Sequence, residues 1–439
     1  MNHPNPFIPS GRLSQMIRES AQRGSALHRQ FLQTRQESLQ NVRALVEMQM
    51  RGSQVGVRPA LFDSRQLDEF GTGKLSACLG PAFAKYDSRR IPRIPNGDLK
   101  MMSRITAITG CPGDFNTPAS VVAEYDVPRD AWYLRDSAYP QIPTSLWMEI
   151  ALQPCGFLSA YLDTYGLVPF VDYQFRNLDG SLRLLETDLH AVDVRGKTIT
   201  THARLLSHVI SGGSIIQKYR FEISCAGQPI YDGESIFGYF SQETMVNQIG
   251  LDGGRMVLPA LRADLTLQKC AARVDTRPLR EAAANRPYYR LALRQLGFLD
   301  DLYVAQDGGR YGRGYVYARQ PVDPQAWYYP YHFYQDPVMP GSLGVEAILE
   351  AVQGFALATG LGRNFRSPRF APAAGPAPMT WRYRGQITQQ HKQMEFEVHL
   401  SAVEQRADEV VMLGDASLWV NGLRIYEVKN AAVGILEGR

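Results

Sequence analysis

The sequence predicts an α+β chain in which one order of elements, strands then a buried helix then strands, occurs twice behind a helical leader. Three observations predict it. Two long apolar runs, "SLWMEIALQPCGFLSAYLDTYG" and "SLGVEAILEAVQGFALATGLG", read as helices that are buried on most faces. The stretches around them alternate Val, Ile, Tyr and Phe with Gly, Pro, Asn and Asp turns, as antiparallel strands do. The two helical regions also align with each other, "AWYLRDSAYPQIPTSLWMEIALQ" against "AWYYPYHFYQDPVMPGSLGVEAILE".

Residues 10–50 are polar, rich in Gln and Arg and nearly free of Gly and Pro, and Phe31, Leu32, Leu39, Val42, Leu45 and Val46 recur near helical spacing. They read as one long packing or linker helix without a catalytic role. After Arg51 the texture changes. "VVAEYDV", "KTITTHARLLSHVI", "IIQKYRFEIS", "MEFEVHLSAV" and "ASLWVNGLRIYEV" are strand candidates. Both apolar helices begin at a Ser available as a cap, just after a Pro, and both runs close on Gly, a common helix stop.

The repeat sets the organisation. "FEISCAGQPIYDGESIFGYF" aligns with "SLWVNGLRIYEVKNAAVGIL", so Trp132 pairs with Trp327, Glu149 with Glu346 and Tyr231 with Tyr426, at separations of 195, 197 and 195 residues. The drift of two is an insertion between Trp327 and Pro340. A period this long means duplicated domains, hence a pseudo-dimer: a leader over 1–58, a first unit over 59–245 and a second over 246–439. Two unrelated α+β domains are the rival architecture, and the matched Trp, Glu and Tyr speak against it.

Composition excludes several classes. A net charge of +4 is far from the Lys/Arg density of a nucleic-acid binder and would suit an anionic ligand or acidic protein partner. Cys78, Cys111, Cys155, Cys225 and Cys270 are scattered, odd in number and never spaced as CxxC, against a disulfide framework or zinc site and in keeping with a reducing cytoplasm. The N-terminal stretch lacks the apolar core of a signal peptide, and no apolar run reaches the ~20 residues of a membrane helix. No phosphate loop, Rossmann glycine pattern or metal-ligand spacing occurs. "GGRYGRG" reads as a hairpin. His391 and His399 sit in strand-like runs with no acid motif beside them and read as structural, like the other histidines except one.

That one is His332, in "HFYQDPVMPGSLGVEA". This motif resembles the active-site signature of the hotdog-fold 3-hydroxyacyl-carrier-protein dehydratases, above all the 3-hydroxydecanoyl type. "FGTGKLSACLGPAF", "RIPNGDLKMMSRITAI", "GRGYVYARQPVDPQAWYYPYHF" and "YRGQITQQHKQMEFEVHL" extend the likeness. From Pro59 to Leu436 the chain is similar to the tandem-hotdog dehydratase regions of polyunsaturated-fatty-acid synthases and related iterative synthases. The resemblance implies a double hotdog: two antiparallel sheets, each wrapped around a long central helix and joined side by side. It implies dehydration of 3-hydroxyacyl thioesters to trans-2-enoyl thioesters, with isomerisation to cis-3 open. The acyl chain would arrive on the phosphopantetheine arm of an acyl carrier protein, with no cofactor of the chain's own. Other domains or subunits of a synthase would be further partners, a homodimer of the double unit is compatible, and no nucleic acid, membrane or metal is implied.

Dehydration needs a base for the α-proton, an acid for the leaving hydroxyl and donors for the enolate-like oxygen. His332 suits the base, since imidazole titrates near neutrality. The Gly341 and Ser342 amides open a helix and suit the oxygen; Gly341 also admits close approach. In the family the acid comes from the opposite hotdog and is followed four residues later by Gln. Glu149 is followed by Gln153, one helical turn on and able to orient it. Glu346 is followed by Glu350, a departure. The first half has "RDSAYPQIP" in place of the His motif. One composite site is therefore expected, His332 facing Glu149, with Glu346 in a mirror site that lacks a base. Asp336 reads as a turn residue accepting local backbone N–H groups. Tyr328, Tyr329, Tyr331 and Tyr334 line an acyl tunnel or pack the sheet. Two other readings stay open: a hotdog thioesterase using a carboxylate to activate water, and a non-catalytic acyl-binding scaffold within a megasynthase.

Overall fold

The structure is a computed structural model and describes residues 59–438 apart from 168–171, 186–192 and 284–285. The expected leader helix lies outside the described residues. Ala60–Arg439 form one compact unit.

Among the described residues, fourteen strands make one antiparallel sheet: β1 (Arg104–Thr109), β2 (Ser120–Asp126), β3 (Tyr173–Leu184), β4 (Thr198–Ser211), β5 (Ser214–Cys225), β6 (Gln228–Ser241), β7 (Ala272–Asp275), β8 (Asp301–Ala305), β9 (Tyr315–Pro321), β10 (Pro368–Pro372), β11 (Met379–Tyr383), β12 (Gln393–Gln405), β13 (Glu409–Val420) and β14 (Leu423–Glu437). Their order is β1-β2-β4-β5-β6-β3-β11-β14-β13-β12-β9-β8-β7, with β10 beside β14. The strands of the first half thus lie together, those of the second half lie together, and β3 meets β11 at the seam, Trp381 opposite Gly180. This is the side-by-side double hotdog. "ASLWVNGLRIYEV" is a hairpin and not one strand: Asn421 and Gly422 turn with φ of 48° and 86°, the left-handed pair that a two-residue turn requires. "GGRYGRG" does join β8 to β9.

Each half wraps a central helix. Of the helices, α1 (Ser64–Thr72) is short, while α2 (Thr144–Tyr161) and α3 (Gly341–Thr359) are the two apolar runs. The first of these runs packs on β2, β4 and β5, the second on β8, β9, β12, β13 and β14, and the two pack on each other. Burial all round explains their composition. It also accounts for a departure from expectation: α3 has the length and mean hydropathy of a membrane span, yet it is enclosed by protein.

The helix ends differ from the sequence reading. Pro143 and Pro340 occupy the cap positions, so Ser145 and Ser342 are second helical residues and not caps. Gly360 stops α3 in the left-handed conformation, φ 75°, as expected. Gly166 does not stop α2, which ends at Tyr161 with Asp163 taking the positive φ. Pro154 sits inside α2 and removes the N–H that would pair with the Ile150 carbonyl. The Thr201 hydroxyl of β4 donates to that carbonyl at 3.2 Å, so the helix keeps its buried polar group satisfied.

Candidate active site

His332 lies in the loop between β9 and α3, eight residues ahead of Pro340, and its backbone is tied at both sides. Its N–H donates to the Tyr328 carbonyl at 2.9 Å, and the Val338 N–H donates to its carbonyl at 2.8 Å. Nδ1 lies 3.1 Å from the Val338 carbonyl oxygen. A carbonyl only accepts, so Nδ1 carries the proton and Nε2 keeps a lone pair. Burial pushes the imidazole down to about 4, with the Arg176 charge adding to it against the Val338 hydrogen bond and Asp336. The ring is therefore neutral at physiological pH.

Glu149 comes from the other half, on α2. Its Oε1 accepts from the Ser342 hydroxyl at 2.6 Å and its Oε2 from the Gln153 amide at 3.0 Å. Gln153 is itself clamped: its Nε2 donates to the Leu99 carbonyl at 2.7 Å and its Oε1 accepts from the Met101 N–H at 2.9 Å. Burial raises the Glu149 carboxyl above its ordinary value, and the two hydrogen bonds only moderate this.

His332, Glu149, Gln153, Gly341 and Ser342 line one cavity of about 90 Å³, walled further by Ile94, Met148, Leu152, Phe175, Phe237 and Phe333. A base, a buried carboxyl and the open end of a helix thus share an apolar chamber at the seam between the halves. Gly341 has a reason beyond substrate approach: a Cβ there would lie 2.5 Å from Cε2 of Tyr383.

Glu346 is apart from this cavity. Its Oε2 accepts from the Ser145 backbone N–H at 3.1 Å, so the amide equivalent to that of Ser342 is already occupied. Burial pushes its carboxyl up to about 7. Glu350 stands where Gln153 stands in the first half. It accepts from the Phe298 N–H at 2.6 Å and pairs with Arg280 at 2.9 Å. The mirror cavity, beside Thr144, Leu184 and Tyr231, is only about 40 Å³. Neither Glu346 nor Tyr139 lines it; Tyr139 is fully buried, and the Glu346 charge adds to the upward push of burial on its phenol.

Other expectations are corrected. The Asp336 side chain does not accept local N–H groups. It takes a two-pronged ion pair from Arg176 of β3, at 2.7 and 3.0 Å, with Arg90 at 3.5 Å, and so fastens the His332 loop to the first half. Of the two readings of Tyr328, Tyr329, Tyr331 and Tyr334, packing holds for Tyr328 and Tyr329, which are buried in the core, and for Tyr331 against it; none of the four lines the cavity, whereas Tyr383 and Tyr426, from β11 and β14, do. His399 does have an acid beside it, with Glu397 at 3.4 Å, on a part of β12 outside the cavity. Arg93, Arg176, Tyr383, Gln386 and Tyr426 are cavity residues that the sequence reading missed. "YRGQIT" held the signal for two of them, but a strand's inward register is not readable from one sequence.

Residues 291–429 match the model of the FabA-like domain. A polyunsaturated fatty acid synthase polypeptide of Thraustochytrium sp. is 33% identical over 385 residues, which is 84% of this chain and 26% of that protein, so the chain spans 26% of the relative's length. Similar solved structures include the dehydratase domain from the CurJ module of curacin polyketide synthase, with TM-score 0.40 and 12% identity over 76% of this chain and 97% of that one. A protein described as an oleoyl thioesterase of Lactobacillus plantarum has TM-score 0.39 and 12% identity over 74% of this chain and 98% of that one. The chain is thus similar to the FabA-like domain over residues 291–429 and, over 385 residues, to one segment of a polyunsaturated fatty acid synthase polypeptide.

Proposed function

We propose that the chain removes water from 3-hydroxyacyl thioesters at one composite site. The observation that carries this reading is the shared cavity, in which His332 of the second half and Glu149 of the first meet beside the open end of α3. His332 Nε2 takes the proton from the α-carbon, and the electron pair passes towards the thioester oxygen, which the Gly341 and Ser342 amides hold. The pair then returns, the C3–O bond breaks, and protonated Glu149 gives its proton to the departing hydroxide. Water and a trans-2-enoyl thioester leave; a proton passing from His332 back to Glu149 restores the site. A raised carboxyl and a depressed imidazole are the starting states this sequence needs.

The acyl group is taken to arrive on the phosphopantetheine arm of an acyl carrier protein within a synthase. The same imidazole moving a proton from the γ-carbon would account for isomerisation. The test follows hydration of an enoyl-pantetheine and dehydration of its 3-hydroxy partner by wild type, His332→Ala, Glu149→Gln and Glu346→Gln. Turnover lost in the first two variants and kept in the third supports the composite site. Ester cleavage without water loss would favour a thioesterase, and binding without either reaction a scaffold.

A further inference from the structure

Tyr383 ends β11 with a side chain that is 5% exposed and lines the cavity. Its hydroxyl has no hydrogen-bond partner among the described residues. A buried polar group left unpaired destabilises the fold, so its retention calls for a partner that comes and goes.

Packing fixes where the hydroxyl lies. Tyr383 faces Tyr426 across β11 and β14, with ring centroids 4.3 Å apart. On its other side the ring abuts the first residue of α3: the Cβ that Gly341 lacks would lie 2.5 Å from Cε2 and 3.0 Å from Cζ. The phenol end is therefore beside the helix opening that presents the Gly341 and Ser342 amides. Both Glu149 oxygens are already engaged, by Ser342 and Gln153. Burial, then Tyr426, then Glu149 hold the phenol well above its ordinary value, so it is a hydrogen-bond donor throughout the working range.

The mirror half supplies a contrast. Tyr231, the counterpart of Tyr426, faces Leu184 across β3 and β6. The hydroxyl is thus present on the side that has His332 and replaced by an aliphatic side chain on the side that lacks it.

We propose that the Tyr383 hydroxyl donates to the thioester carbonyl oxygen of the bound acyl group, as a third donor beside the Gly341 and Ser342 amides. This rests on the dehydratase reading. As the α-carbon–hydrogen bond breaks, the proton goes to His332 and the electron pair to that oxygen. The Tyr383 O–H bond stays intact and its hydrogen bond strengthens with the growing charge.

The test uses Tyr383→Phe, which keeps the ring and its packing, in the full chain. Two rates are measured: dehydration of a 3-hydroxyacyl-pantetheine, and exchange of the α-hydrogens of the saturated acyl-pantetheine in deuterium oxide. The second substrate has no hydroxyl to lose, so it reports the enolate step alone. Expected is a fall of about 10²-fold in both, with an unchanged circular dichroism spectrum. Exchange at the wild-type rate overturns the proposal, whether dehydration is slowed, which would move the hydroxyl to the leaving oxygen, or is also unchanged. Wild type that neither dehydrates nor exchanges sinks the dehydratase reading itself, and this proposal with it.

Discussion

The Ser342 hydroxyl donates to the Glu149 carboxylate across the seam at 2.6 Å, while in the mirror arrangement the Ser145 backbone amide donates to Glu346 at 3.1 Å. Two copies of one motif have thus resolved the same contact differently. One leaves the helix-opening amide free, and the other consumes it.

That difference predicts unequal variants. Glu149→Gln removes the proton to be given and should lower turnover by at least about 10²-fold, in the range of lost general acid catalysis. Glu346→Gln should leave kcat/KM within about threefold, since glutamine still accepts from Ser145. Steady-state hydration of an enoyl-pantetheine separates the two; equal losses would refute the composite site.

Copying Glu350 into the first half should be harmful. Gln153→Glu replaces the amide that donates to Glu149 with a carboxylate that cannot donate when ionised, and places a like charge one turn away. We expect kcat to fall by about 10- to 100-fold with KM little changed. Gln153→Ala is the control, since it removes the hydrogen bond without adding charge, and it should lose less.

The pH profile of kcat/KM should be bell-shaped with a low acid limb. His332 is held down to about 4, so the base is lost only as pH falls through that value. Glu149 is held above its ordinary value, so the acid is lost as pH rises through its raised value. A profile whose acid limb lies near about 6.5, the ordinary imidazole value, would show that the ring is not buried as described.

Glu346 and Glu350 contribute a fall in stability as pH rises from about 4.5 to above 7, which His332, depressed from 6.5 to about 4, opposes between those two values. Glu346 is raised from 4.5 to about 7, so the folded chain binds the proton more tightly than the unfolded one. Its contribution is fully present below 4.5 and lost as pH climbs through about 7, on the order of 3 kcal/mol. Glu350 is raised in the same direction by burial, against Arg280. Urea melts at about pH 5 and about pH 8 read the sum of these, and Glu346→Gln should shift the difference between them in favour of pH 8. An unchanged difference in the variant would contradict this assignment.

Thr201→Val tests the proline inside α2. The substitution keeps the shape of the side chain but leaves the Ile150 carbonyl without a donor. A loss of about 1–3 kcal/mol in urea unfolding is expected. A second change, Pro154→Ala, restores a helical N–H and should return part of it.

Much of this was legible because duplication writes its evidence twice. The Glu149–Gln153 spacing, the His332 motif and the two buried helices all lie within local runs, where periodicity and turn chemistry operate. The helix caps were misread because proline fixes a helix start without a side-chain hydrogen bond, which freed Ser342 for Glu149. Arg176, Tyr383 and Tyr426 escaped because each reaches the cavity through strand register, which long-range pairing sets. Asp336 was misassigned for the same reason: its partner, Arg176, is 160 positions away in the chain.

The pairing of β3 with β11 makes the two halves a covalently tethered couple, each at a high effective concentration for the other. Two separate identical protomers must carry identical sites, because any change in one appears in both. A tether lifts that constraint. The first half has no histidine at the position of His332, and in the proposed site it contributes only the Glu149 carboxylate. On that reading the seam turns a symmetric assembly into a division of labour, with one set of reacting groups drawn from both halves.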